Sequence, residues 1–103
     1  MNTLEVLIVA RKLIEKPENW TRDFLARDSH GDPVYVHSDK AVCFCAMGAL
    51  HKAIGETSAE YLDVVASLAS AARIDTVAGF NDTHTHDEVL ALFGKAIEME
   101  KAK

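Results

Sequence analysis

The sequence predicts a mostly helical α+β domain in which about four helices surround one core and a two-stranded β-hairpin connects the first helix to the second. Three observations support this fold class. Apolar residues recur at helical spacing in four stretches, two of these stretches open with a Thr-x-x-Glu capping box, and a turn-forming sequence separates the first stretch from the second. A chain of 103 residues with 49% apolar content can bury one modest core. We therefore expect a single globular domain over residues 1–103.

The first helix is predicted over residues 3–15. Its apolar residues recur every three or four positions, and either Asn2 or Thr3 can cap its start. Pro17 ends the helix because proline has no N–H group and its ring clashes with the preceding turn.

The next segment, residues 23–37, is predicted to form the β-hairpin. Residues 29–33 have the turn-forming sequence Ser-His-Gly-Asp-Pro, with the turn near Gly31, and the β-favouring run Val-Tyr-Val follows at residues 34–36. Two strands alone are marginally stable, so we expect this hairpin to pack against the helices.

The second helix is predicted over residues 39–54, with Ser38 or Asp39 as its N-cap and Gly55 at its end. Small residues four positions apart form a stripe along this helix, and Gly48 beside the stripe lets another helix backbone approach closely. The stripe consists of Ala41, Cys45, Ala49 and Ala53.

A capping box, Thr57-x-x-Glu60, predicts a third helix over residues 58–73. We expect its buried face to consist of Leu62, Val65, Ala66, Leu68, Ala69 and Ala72. The link that follows, residues 74–82, has no clear periodicity and is predicted to be irregular.

A second capping box, Thr85-x-x-Glu88, predicts the last helix over residues 86–99. We expect its buried face to consist of Val89, Leu92, Phe93, Ala96 and Ile97.

Charge and composition exclude several classes of protein. Sixteen acidic and eleven basic residues give a net charge of −5, which opposes direct binding to nucleic acid because such binding depends on basic residues that neutralise phosphates. The apolar runs are too short to cross a bilayer and no signal-peptide pattern is present, so we expect a cytoplasmic protein without a membrane partner. Cys43 and Cys45 would point about 200° apart on a helix, so we expect reduced thiols.

Several short motifs occur along the chain, each of them once. They are Trp20 within Lys-Pro-Glu-Asn-Trp-Thr, Ala-Arg-Asp at residues 26–28, Phe-Cys-Ala-Met-Gly-Ala-Leu at residues 44–50, the pair Asn81-Asp82 after Phe80, and Glu-Val-Leu-Ala-Leu at residues 88–92 with Ala96-Ile97. In this combination the sequence resembles a family of small bacterial and phage proteins that is described only as a domain of unknown function. The resemblance covers nearly the whole chain and implies a single intracellular domain, and it gives no residue a catalytic role.

Cys45 is the candidate nucleophile of a cysteine-dependent hydrolase or transferase. Such an enzyme needs a base, for which His84 or His86 is available, and an orienting group such as Asn81 or Asp82. A cysteine on a small-residue stripe is more often packed in the core than reactive. We therefore keep this enzyme as the alternative and expect a protein that is not an enzyme.

His84 and His86, with Asp82 or Asp87 as a third ligand, form the candidate metal site. Their spacing matches no established zinc signature, and polar residues before a helix are also explained as turn and cap residues. We expect no metal and no other cofactor.

A sensor of a small ligand or nucleotide is a further alternative, with its pocket between the second and fourth predicted helices. The N-terminus of the fourth helix can attract an anion. The acidic residues there oppose an anion, and the sequence has no glycine-rich phosphate loop.

Trp20, Phe24 and Tyr35 lie outside the helical stripes, and aromatic residues on loops often anchor protein partners. With the acidic residues Asp28 and Asp32 they would form a docking face suited to a basic protein. We therefore expect a small acidic protein that docks onto a macromolecular partner, for example a phage-type inhibitor of a nucleic-acid-handling complex. A homodimer formed through the small-residue stripe is the alternative assembly.

Overall fold

A computed structural model describes residues 2–54, 59–72 and 76–103, which are mostly helical. These residues form five α-helices, a short 3₁₀ helix and a two-stranded antiparallel sheet. In chain order the elements are α1 (Thr3–Leu13), the 3₁₀ helix (Pro17–Asn19), β1 (Ala26–Arg27), β2 (Cys43–Phe44), α2 (Ala46–Ile54), α3 (Ala59–Ala72), α4 (Val77–Thr83) and α5 (His86–Lys101). The mostly helical class with a two-stranded sheet is confirmed, whereas the predicted number of about four helices is wrong.

The core lies between the inward faces of α1, α2, α3 and α5. The largest side chains that are fully buried in it include Leu7, Ile14, Leu50, Val64, Leu68, Val77, Val89 and Phe93. The short elements contribute to the same core, because Ala26 of β1 and Phe44 of β2 are buried with it. None of the described helices has both the length and the apolar character needed to cross a bilayer.

Two helix starts follow the predicted capping pattern. Asn2 caps α1, and its side-chain oxygen accepts the N–H of Glu5 at 2.8 Å. Thr85 caps α5 through a complete capping box, in which the Thr85 hydroxyl accepts the N–H of Glu88 at 3.2 Å and the Glu88 carboxylate accepts the N–H of Thr85 at 2.9 Å. All five residues of the predicted apolar stripe of α5 are buried.

The predicted hairpin over residues 23–37 is wrong in its second strand. The predicted turn is present, and Gly31 adopts the positive φ of +83° that this turn requires. After a single bridge to Arg27, however, the returning chain enters a second turn, in which the N–H of Ser38 donates to the carbonyl of Tyr35 at 2.9 Å. This second turn directs the chain away from β1 before a ladder can form.

β1 pairs instead with β2, which lies within the region predicted as the second helix. That helix, predicted over residues 39–54, begins only at Ala46. The residues before Ala46 are extended because they bond to β1 and to the residue that precedes it: Val42 donates to the carbonyl of Arg27 at 2.9 Å and Cys45 to the carbonyl of Leu25 at 3.2 Å. Pairing with a distant strand therefore outweighs the local helical pattern.

The predicted helix N-cap at Ser38 or Asp39 is also wrong. The Ser38 hydroxyl accepts an N–H two residues later, within a turn. The small-residue stripe is not a continuous helix face, because Ala41 and Cys45 precede α2. Ala49, which does lie on α2, is fully buried in the core.

The link predicted as irregular over residues 74–82 contains a helix, α4. Thr76 caps it, and the Thr76 hydroxyl accepts the N–H of Gly79 at 3.0 Å. A helix of seven residues is too short for its apolar periodicity to be detected in the sequence.

The buried face of α3 differs from the predicted one. Leu62 is 70% exposed, whereas Tyr61 and Val64 are buried, so the helix is rotated relative to the prediction. Three predicted features of this region lie outside the described residues: the helix end at Gly55, the cap residue Thr57 and the helix end near Arg73.

Candidate functional site

Three segments that are distant in the sequence meet at the side chain of Asn81 in α4. Its Oδ1 accepts the indole N–H of Trp20 at 2.7 Å and the backbone N–H of Ala46, the first residue of α2, at 3.0 Å. Its Nδ2 donates to the carbonyl of Thr21 at 3.0 Å and to a carboxylate oxygen of Asp82 at 3.1 Å. We call these five residues the Asn81 junction.

The Asn81 junction has the properties of a structural element. Asn81 is fully buried, and its two acceptor and two donor positions are all used within the protein. Within the described part of the chain, every buried side-chain nitrogen and oxygen atom has a hydrogen-bond partner. Asn81, which the sequence offered as an orienting group for catalysis, has no hydrogen-bonding capacity left for a substrate.

Trp20, predicted as a partner anchor, belongs to the Asn81 junction. Besides its bond to Asn81, its ring lies 5.0 Å from the guanidinium carbon of Arg22 and 5.4 Å from the ring centroid of His86. Trp20 is only partly exposed.

Cys45, the candidate nucleophile, lies directly before α2 and is 5% exposed. Its Sγ accepts the N–H of Gly48 at 3.3 Å, as a capping side chain does. Burial raises the pKa of this thiol; the N–H groups of Gly48 and Met47 oppose the rise, and the Asp82 carboxylate adds to it. Because the thiolate is the nucleophilic form, this environment favours an unreactive thiol in the core.

His84 and His86 are held by separate backbone groups. The His84 ring stacks on Phe80 at a centroid distance of 3.7 Å, and its Nδ1 lies 3.0 Å from the Phe80 carbonyl. His86 Nε2 lies 2.6 Å from the carbonyl of Ile14. Among residues 2–54, 59–72 and 76–103, no group of three or more His, Cys, Asp and Glu side chains is arranged to hold a metal ion.

Four exposed apolar side chains belong to chain segments that meet at the small sheet. We define the β1 surface as Phe24, Leu25, Tyr35 and Val42. Tyr35 is 72% exposed, and the other three are 44% to 46% exposed. All four belong to the three chain segments whose backbones meet at β1, and exposed apolar side chains brought together in this way are candidates for partner binding.

Two polar residues near the β1 surface, Asp28 and Arg27, hold part of its surroundings in place. The Asp28 carboxylate accepts the N–H groups of Asp32 and His30, and these bonds lower the pKa of Asp28. The Asp32 side chain is exposed. The guanidinium carbon of Arg27 lies 4.7 Å from the ring centroid of Phe24, so one face of this ring is supported from within the protein.

An open cleft of about 330 Å³ lies away from the β1 surface, between α3 and the C-terminal end of α5. Three of its polar side chains already bond to one another, because Glu100 accepts hydrogen bonds from Ser67 at 2.7 Å and from Lys103 at 2.8 Å. The cleft is not lined by α2, beside which the sensor hypothesis places its ligand.

Gly48 has a structural role that the sequence indicated only in part. A Cβ atom at this position would lie 1.9 Å from the carbonyl oxygen of Leu25. The predicted close approach therefore occurs, but the approaching backbone belongs to the segment before β1 and not to another helix. Leu25 and Val42 were not predicted as surface residues, because each lies beside other apolar residues and the sequence does not indicate which side chains of such a run face solvent.

The comparisons with known proteins give a family and no activity. A family model described as a family of unknown function, DUF6197, matches residues 1–99. The chain therefore belongs to this family. Searches of curated proteins and of solved structures each found no match.

Proposed function

We propose that this DUF6197 protein is a non-enzymatic binding protein that docks onto a basic protein partner through the β1 surface. One observation carries the proposal. In the described part of the chain six large apolar side chains are exposed, and four of them belong to the β1 surface.

The composition of the β1 surface suits a protein partner. Tyrosine and phenylalanine supply large contact areas, and binding energy at interfaces is concentrated in a few such side chains surrounded by polar groups. Asp23, Asp32 and Asp39 are exposed in the same part of the chain. Together with the net charge of −5 on the whole chain, these acidic groups favour a basic partner and disfavour nucleic acid itself.

The proposed partner class is a protein that handles nucleic acid. Such proteins present basic faces that neutralise phosphates. An acidic protein of this size would inhibit such a partner by covering its basic face, which is the action expected of a phage-type inhibitor. The burial of Cys45 and the engagement of His84 and His86 by backbone carbonyls support a non-enzymatic function over the cysteine-dependent alternative.

Affinity purification from the host with three versions of the protein tests the proposal. The versions are the wild type, the double variant Phe24→Ser/Tyr35→Ser, and Leu62→Ser as a matched control. Leu62 is suited to this purpose because it is 70% exposed on α3, so its substitution removes apolar surface elsewhere. We expect a basic partner to be recovered with the wild type and Leu62→Ser, and recovery to fall more than about tenfold with the double variant.

Salt dependence tests the electrostatic part separately. Raising the ionic strength from about 0.1 M to about 1 M shortens the Debye length from about 10 Å to about 3 Å, so recovery should fall if acidic groups contribute. Equal recovery of every partner by the wild type and the double variant would refute docking through the β1 surface.

A further inference from the structure

Residues 22–25 carry the chain from one edge of β2 to the other, and we call this segment the crossover. On one edge the N–H of Thr21 donates to the carbonyl of Phe44 at 3.0 Å, and on the other edge Ala26 pairs with Phe44. Neighbouring strands lie about 4.8 Å apart, so the crossover spans about 10 Å over the end of β2. Because α2 begins two residues after Phe44, this path lies over the first turn of α2.

The crossover is fixed to the end of α4 at two points. The Arg22 guanidinium donates to the carbonyl of His84, and the N–H of Asp23 donates to a carboxylate oxygen of Asp82 at 3.0 Å. Asp23 has a φ of +72° and is the only non-glycine residue in the described part of the chain with a positive φ. This conformation is unfavourable for residues with a Cβ atom, and at this residue the backbone N–H is bonded to the Asp82 carboxylate.

The crossover is also fixed to α2. Leu25 accepts the N–H of Cys45 through its carbonyl, and this carbonyl lies against Gly48. Because backbone atoms fill the space next to α2, the side chains of the crossover face solvent. The exposure of Phe24 and Leu25 is therefore set by a backbone that is anchored at both ends.

We propose that Asp82 is a positioning residue for the β1 surface: its carboxylate holds the left-handed turn at Asp23 and so fixes Phe24 and Leu25 in their outward orientation. The inference rests on the proposed docking function. A surface that is already ordered loses less conformational freedom on binding, so Asp82 acts on affinity through the crossover.

Amide hydrogen exchange tests the positioning role without a partner. In Asp82→Ala the exchange of the Asp23 amide should accelerate by about tenfold or more, because its acceptor is gone. In Asp82→Asn the side-chain oxygen remains, and exchange should stay within about threefold of the wild type. Asp63→Ala removes an exposed carboxylate from α3 and should leave the Asp23 amide unchanged.

The amides of α5 report whether each variant keeps its fold. If Asp82→Ala does not fold, Asp82→Ser replaces it, because serine also lacks the carboxylate but keeps a polar side chain at this exposed position. An unchanged rate for the Asp23 amide in the folded variant would overturn the proposal.

The partner recovered with the wild type then tests the effect on docking. Its affinity should fall about fivefold or more in Asp82→Ala and recover in Asp82→Asn. Faster exchange with unchanged affinity would overturn the positioning role and leave the docking function standing. Failure of the wild type to recover a partner that depends on Phe24 and Tyr35 would refute the docking function, whereas the exchange rates would still decide whether Asp82 holds the turn.

Discussion

The indole N–H of Trp20 and the side-chain oxygen of Asn81 form a hydrogen bond of 2.7 Å between residues that are 61 positions apart in the chain. The same oxygen accepts the first N–H of α2, so one buried amide fixes the segment around Trp20 and two helices relative to one another. Deleting this amide would leave the N–H of Ala46 buried without a partner.

We predict that Asn81→Ala lowers the free energy of unfolding by about 3 kcal/mol or more, because unsatisfied buried groups cost about 1 to 3 kcal/mol each. Asn2→Ala is the matched control, since it removes one exposed capping bond at the start of α1 and should cost about 1 kcal/mol. Urea denaturation of both variants measures the difference. Equal losses in the two variants would contradict the central role of Asn81.

We predict opposite effects for alanine at two helical glycines. Gly48→Ala places a Cβ 1.9 Å from the Leu25 carbonyl oxygen, so the crossover must move and stability should fall by about 2 kcal/mol or more. Gly94→Ala, in the middle of α5, places its Cβ in open space and should raise stability by about 0.5 to 1 kcal/mol through helix propensity. Thermal or urea unfolding measures both effects, and a stabilising Gly48→Ala would show that the crossover does not pack as described.

These cases show which features a sequence can predict. The cap and buried stripe of α5 were predicted because every group involved lies within a few residues along one helix. β2 was missed because Cys43 and Phe44 are extended through bonds to distant segments, β1 about 17 positions earlier on one edge and Thr21 on the other. The apolar pattern of residues 39–54 predicts a helix and gives no indication that part of this segment pairs with β1.

Asn81 was noted in the sequence as an orienting group, but its partners lie 35 and 61 positions away, and no local period reports such contacts. Tyr35 and Phe24 were predicted as exposed aromatics from their place outside the helical stripes, and their side chains are exposed. Trp20, chosen by the same rule, is partly buried because its indole N–H has a buried partner.

We predict that Glu88→Gln weakens the protein at neutral pH and has little effect in acid. The Thr85 N–H, followed by the Thr85 hydroxyl, lowers the pKa of Glu88 in the folded state. A lowered folded pKa means that the carboxylate stabilises the fold above the usual Glu pKa of about 4.3 and that this contribution is lost as the pH falls through the folded pKa. Urea midpoints of the wild type and Glu88→Gln should therefore differ at pH 7 and converge near pH 3.

Thr85→Ala provides the comparison for this capping box. It removes the hydroxyl that accepts the N–H of Glu88 at every pH, so it should still cost about 1 kcal/mol near pH 3, where Glu88→Gln has little effect. A loss in Glu88→Gln that does not change with pH would contradict the role assigned to the carboxylate.

We predict that the Cys45 thiol reacts with iodoacetamide only after unfolding. Cys43→Ala isolates the thiol, and its alkylation rate in native protein should be at least about a hundredfold below the rate in urea. Rapid alkylation of native protein would favour the cysteine-dependent alternative.

A second prediction concerns pH. Because burial raises the pKa of the Cys45 thiol in the folded state, the thiol stabilises the fold below the usual Cys pKa of about 8.5, and this contribution is lost as the pH rises through the folded pKa. The stability difference between the wild type and Cys45→Ala should thus shrink above about pH 9.

The placement of the chain's single tryptophan makes it an optical reporter of one event. Its indole contacts Asn81, Arg22 and His86, so its fluorescence should change when the segment around Trp20 separates from α4. Helical circular dichroism reports the remaining helices independently. A shift in emission wavelength without loss of ellipticity would reveal a form in which the helical bundle persists while the sheet region has detached.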